Sequence, residues 1–150
     1  MPKPSELFHG GRPAPAAGAG RRPSGVRSKG EVFHVASSSA TTAYGGELRI
    51  PVHPAAGSVS SMAISYKLEP GQRSRETALT ISECGLCVVQ GRGRVRIGKS
   101  NHEVVVGDLA FIPVQKKFSI ENTGEEPLVM LGLITPPDPT MLRLAGLWAE

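Results

Sequence analysis

The chain holds two cysteines, Cys84 and Cys87, in 150 residues. Two are too few for a disulfide framework. They stand three apart in a run of strand character, so their side chains face opposite sides of a sheet. That placement opposes both an internal disulfide and a redox Cys-x-x-Cys pair. Free thiols suit a reducing compartment, and a cytoplasmic location is expected. No apolar run approaches the length of a membrane span, so no membrane partner is expected. Pro2 and Lys3 lead into no apolar core, and no secretory signal is expected. Aromatic residues make up only 5% of the chain. Rings are not interleaved with basic residues, as a nucleic-acid surface would require. Nucleic acid is therefore not an expected partner, despite a net charge of +4 and a pI near 9.4.

Turn formers are abundant: Gly 18 and Pro 13 favour loops and short elements over long helices. Residues 1–30 are rich in Pro, Gly, Ala and Arg and carry almost no apolar pattern. Such a segment cannot offset its ordering entropy by burial, and it reads as a disordered basic tail. Arg21, Arg22, Arg27 and Lys29 are either solvated or available to an acidic partner. Glu31 to Val35 reads as a short strand and Ser37 to Thr42 as a loop. Glu47 to Val52 reads as an edge strand, because Pro51 is costly elsewhere in a sheet. Met62, Ile64, Tyr66 and Leu68 alternate with Ala63, Ser65 and Lys67, which is a clean strand period. Further strands are expected at Thr77–Ile81, Leu86–Gln90, Arg94–Ile97, His102–Val106, Leu109–Ile112, Phe118–Glu121 and Leu128–Ile134. Residues 137–150 form an extension with a short helix over Met141 to Trp148. The expected class is all-β, a small barrel or jelly roll over residues 31–136.

Two motif frames carry a resemblance. From Gly71 to Gly91 the spacing resembles the first motif of the cupin superfamily: Gly, five residues, His-x-His, four residues, Glu, six residues, Gly. Thr77 and Leu79 stand at the two His positions, and Cys84 stands at the Glu position with Glu83 beside it. From Gly107 through Pro113 to Asn122 the spacing resembles the second motif, with Gln115 at a Gly position and Phe118 at the last His position. The resemblance covers roughly Ser60 to Pro136 and implies a cupin jelly-roll barrel. It also implies that Thr77, Leu79, Cys84 and Phe118 converge inside. Leu79 and Phe118 offer no lone pair to a metal and Thr77 is a poor ligand, so no metal and no cofactor are expected. Cupins commonly pair through their sheets, so a homodimer is expected, with the runs near Glu31 and Leu128 as interface candidates.

An interior lined by Leu79, Cys84, Leu86 and Phe118 suits an apolar ring-bearing molecule better than a small polar acid. Phe118 either stacks on such a ring or fills the space a metal and its ligand would take. Cys84 is either a buried inert thiol or, given a nearby charge, a nucleophile. Tyr66 is the best proton donor if its face is the pocket, with Gln90 and Glu83 as further polar groups. Gln90 shares the strand parity of Cys84, whereas Glu83 faces in only across a bulge. Two functions stay open. One is a metal-independent cyclase or isomerase acting on an apolar, polyketide-like metabolite through shape and orientation. The other is a cupin that binds a small molecule, or serves as a scaffold, without turnover.

Overall fold

The structure is a computed structural model that describes residues 30–148. The basic tail anticipated for residues 1–30 lies outside the described residues except for Gly30. Among the described residues, nine strands form two antiparallel sheets. β1 (Ala40–Ala43), β2 (Gly46–Val52), β3 (Met62–Leu68), β4 (Glu83–Gln90) and β5 (Arg92–Ile97) come first in the chain. They are followed by β6 (Ser100–Val105), β7 (Leu109–Ile112), β8 (Phe118–Asn122) and β9 (Leu128–Thr135). The larger sheet has six strands in the order β1-β2-β3-β9-β4-β7, and the smaller has three in the order β6-β5-β8. The inner faces of the two sheets share one apolar core.

Period-2 alternation decides which side chains enter that core. Met62, Ile64, Tyr66 and Leu68 of β3 point inward, and β9 runs beside it in the register Met62↔Ile134 to Leu68↔Leu128. Cys84, Leu86 and Val88 enter from β4, and Phe118 and Ile120 enter from β8. At the far end Asn122 is buried. Its Nδ2 donates to the carbonyls of Leu68 and Glu126, each at 2.9 Å, and its Oδ1 accepts from Gly124 N at 2.9 Å. These bonds tie β8, β3 and the turn before β9 together.

Four local expectations change. Residues 31–34 form no strand, and among the described residues the first regular element is a 3-10 turn at Val35–Ser37. Val32 is exposed there. The small, polar run at Ala40–Ala43 is a strand rather than a loop, because β2 supplies its ladder in the register Ala40↔Arg49 to Ala43↔Gly46. β2 is consequently an interior strand, and Pro51 is accommodated where its register with β3 shifts between Arg49 and Val52. Thr77–Ile81 is a strap that bridges β8 only at Thr77↔Phe118.

The C-terminal helix, α1, spans Pro139–Leu144 and stops short of Trp148. Asp138 caps its start by accepting from Met141 N at 3.0 Å. Gly146, with φ 72, ends it, while Leu147 N bonds Leu142 O and Gly146 N bonds Arg143 O. Met141 and Leu142 are buried in the barrel core, so α1 closes one end of the barrel.

Candidate functional site

The barrel holds a small, partly open chamber beneath α1. Leu48, Ile64 and Tyr66 line it from the large sheet, together with Cys84 and Leu86. Phe118 and Ile120 line it from the small sheet, Thr77 from the strap, Ser74 and Arg75 from the segment just before the strap, and Met141 from the helix. Its volume is about 30 Å³. That is room for about one or two water molecules and too little for a ring. Phe118 and Met141 are themselves the bulk that fills the space.

Tyr44 completes the wall, and its backbone explains the position of Tyr66. Tyr44 and Gly45 form the two-residue turn between β1 and β2, with φ 55 and 90. This is the primed hairpin geometry that Asn-Gly adopts most readily, so a tyrosine there is uncommon. Tyr44 O accepts from Tyr66 Oη at 3.0 Å and from Arg75 N at 2.9 Å. Tyr66 Oη also lies 3.2 Å from Ala43 O. The ring of Tyr66 packs directly on Gly46, where a Cβ would lie 2.7 Å from Cζ and Oη. The hydroxyl of Tyr66 thus holds the hairpin turn in place.

Two further polar groups of the wall are similarly engaged. Ser74 Oγ accepts from Ile120 N at 2.8 Å, and Thr77 Oγ1 donates to Arg75 O at 3.1 Å. Burial pushes the Cys84 thiol up to about 12 and, with a smaller contribution from Tyr44, pushes Tyr66 up to about 12. Tyr44 is raised too, first by burial and then by Asp138, with Arg75 opposing. Burial favours the neutral form of the Cys84 thiol and so opposes its ionisation to a nucleophilic thiolate. Between their ordinary and raised values these groups hold more protons folded than unfolded. Their stability contribution is complete below the ordinary thiol value of 9.0 and is lost as pH rises towards about 12. Urea midpoints should therefore decline once pH exceeds about 9, and a flat profile to about 11 would contradict this.

The structure brings Tyr66, Thr77, Cys84, Leu86 and Phe118 together at the chamber. It does not bring Leu79, Glu83 or Gln90 there. Leu79 is buried in the core outside the lining. Glu83 is exposed on the outer face of β4, as strand parity without a bulge dictates. Gln90 lies beyond the register shift between Val88 and Gln90, opposite Val129 at the far end of β4. Tyr44, Arg75 and Met141 were not singled out for the chamber from the sequence. The adjacent Tyr-Gly-Gly turn was the available signal for Tyr44. Met141 had none, because its place depends on how the chain returns after Pro136.

Among the described residues, no group of three or more His, Cys, Asp or Glu side chains is placed to hold a metal ion. No helix among them is long and apolar enough to cross a membrane.

The family model for the cupin domain matches residues 65–134. These residues form a cupin domain. Solved structures agree on the fold. The polyketide cyclase RemF from Streptomyces resistomycificus superposes with a TM-score of 0.64 at 15% identity, covering 73% of this chain and 81% of that one. A structure from Thermotoga maritima, described as a predicted oxalate decarboxylase, gives a TM-score of 0.63 at 20% identity, covering 71% and 100%. KdgF from Halomonas gives 0.58 at 20% identity, covering 65% and 86%. At these identities the likeness concerns the cupin fold alone. Comparison with curated proteins found no match.

Proposed function

We propose that this cupin binds a compact apolar molecule in its barrel without turning it over. The observation that carries the reading is the Tyr66 hydroxyl, which is committed to the Ala43 and Tyr44 carbonyls at 3.2 and 3.0 Å. The chamber offers no other group poised for proton transfer near neutrality. Its wall is otherwise Leu48, Ile64, Leu86, Phe118, Ile120 and Met141, which suits an aliphatic or aromatic body.

Tyr66→Phe tests the reading. It should lower stability by about 0.5–1.5 kcal/mol, the net worth of one hydrogen bond, while leaving ligand affinity nearly unchanged. The second reading is a metal-independent cyclase or isomerase. A phenol on an apolar chamber and the fold likeness to a polyketide cyclase favour it. There the same variant would lose roughly 10²–10⁴ in rate on its substrate with little loss of stability.

A second copy of the chain is proposed to cover the outer face of β9, β4 and β7. Leu109, Phe111 and Leu133 are 70%, 58% and 54% exposed around one shallow groove. β7 is the edge strand of the sheet. The face offers both ridge and groove and carries little charge, so a two-fold related copy can fill it with the same side chains. Sedimentation should give about twice the chain mass of 15.8 kDa, and Phe111→Glu should return it to the single-chain value. A wild-type monomer at micromolar concentration would refute the pairing. The free thiols of Cys84 and Cys87 accord with a cytoplasmic protein.

A further inference from the structure

A second surface feature lies at the edge of the small sheet and is independent of the chamber. The turn joining β5 to β6 meets the loop joining β7 to β8, where Gly98 N donates to Lys117 O at 2.8 Å. Between them runs a groove of about 800 Å³, lined among others by Glu76, Arg96, Lys99, His102, Lys116 and Lys117. Four permanent cations thus face one carboxylate.

Nearby on the same sheet, Arg94 is neutralised by carboxylates. Arg94 stands opposite Glu103 on β6, with Nε 2.7 Å from Oε1, and its NH1 lies 3.6 Å from Glu121. Arg73 also pairs with Glu121, at 3.4 Å. Two residues beyond Arg94, Arg96 stands opposite Asn101 and donates only to Gly98 O, at 3.3 Å. Among the described residues, the ion pairs leave Arg96, Lys99, Lys116 and Lys117 without a carboxylate.

The lysines are not simply solvated at random. Gly98 has φ 59, and a Cβ there would lie 2.9 Å from Lys116 Cε and 3.2 Å from its Nζ. The bare backbone at Gly98 lets the Lys116 ammonium lie against the hairpin turn, beside Lys99. Donors therefore converge from two separate loops while acceptors are missing. Like charges held together are matched best by a group with several negative oxygens. A single carboxylate would leave most of the donors unused. The groove is short, and among its lining residues His102 alone carries a ring, too little for a row of stacked bases, which argues against a nucleic-acid track.

We infer that this groove binds a small molecule carrying two or more phosphate groups, held by Arg96, Lys99, Lys116 and Lys117. The site stands whether or not the barrel is catalytic.

The test uses the full chain and inorganic pyrophosphate as the probe. Titration followed by amide resonances should shift Gly98, Lys99, Lys116 and Lys117 saturably. The double variant Lys99→Gln/Lys116→Gln should weaken binding by roughly tenfold or more. Arg94→Gln, which removes a charge already paired, should leave it unchanged. Circular dichroism confirms that each variant is folded. No saturable binding at millimolar pyrophosphate would overturn the inference. Equal weakening by Arg94→Gln would also overturn it, because the attraction would then be diffuse. So would tighter binding of a single-stranded oligonucleotide at the same residues, which would make the groove a nucleic-acid surface.

Discussion

Phe118→Ala is expected to lower the unfolding free energy by about 3–5 kcal/mol, the largest loss of any single change considered. Phe118 opens β8, is buried at 8% exposure, and contacts the strap through the bridge to Thr77. Removing its ring leaves apolar walls from Ile64, Leu86, Ile120 and Met141 with nothing between them. The chamber, now about 30 Å³, would grow by most of the volume of a phenyl ring. Dry apolar cavities of that kind take up benzene. Benzene should consequently raise the melting temperature of the variant by more than it raises that of the wild type. A loss below about 1 kcal/mol would mean that the barrel collapses around the gap. No stabilisation by benzene would point to the same conclusion.

Met141→Ala is the second large effect, because Met141 is both core and closure. Its side chain is 5% exposed and reaches the chamber from a helix anchored by Asp138. Truncation should cost about 2–5 kcal/mol. It should also widen the room for an apolar ligand beneath α1. An apolar ring such as naphthalene should therefore bind the variant more tightly and more quickly than the parent protein. A change in affinity without a change in association rate would show that Met141 fills space and does not guard entry. If neither changed, the entrance would lie elsewhere.

The comparison between sequence and structure follows from where the information resides. β3 was legible because Met62, Ile64, Tyr66 and Leu68 keep strict alternation beside polar residues. The barrel class was legible because turn formers recur at the frame positions from Gly71 to Asn122. Thr77–Ile81 has strand composition, but only Thr77 finds a bridge partner, so pairing and not propensity decides its state. β1 shows the converse: small residues become a strand because β2 provides the hydrogen bonds. At the chamber, Cys84 and Leu86 could be placed together from parity on one strand. The same parity failed for Gln90 once the β4–β9 register shifted. The commitment of the Tyr66 hydroxyl was not legible, because its acceptors lie 22 and 23 residues away in a turn with a left-handed tyrosine.

The most direct measurement presents the purified protein with an acyclic β-polyketone and follows two signals at once. One is the methyl resonances of Ile64, Leu86 and Met141, and the other is formation of a ring-closed product. A binding cupin predicts saturable shifts at those methyls, with ring closure no faster than in protein-free solution. Accelerated closure that falls back to the free-solution rate in Tyr66→Phe would contradict the account and make the barrel a cyclase.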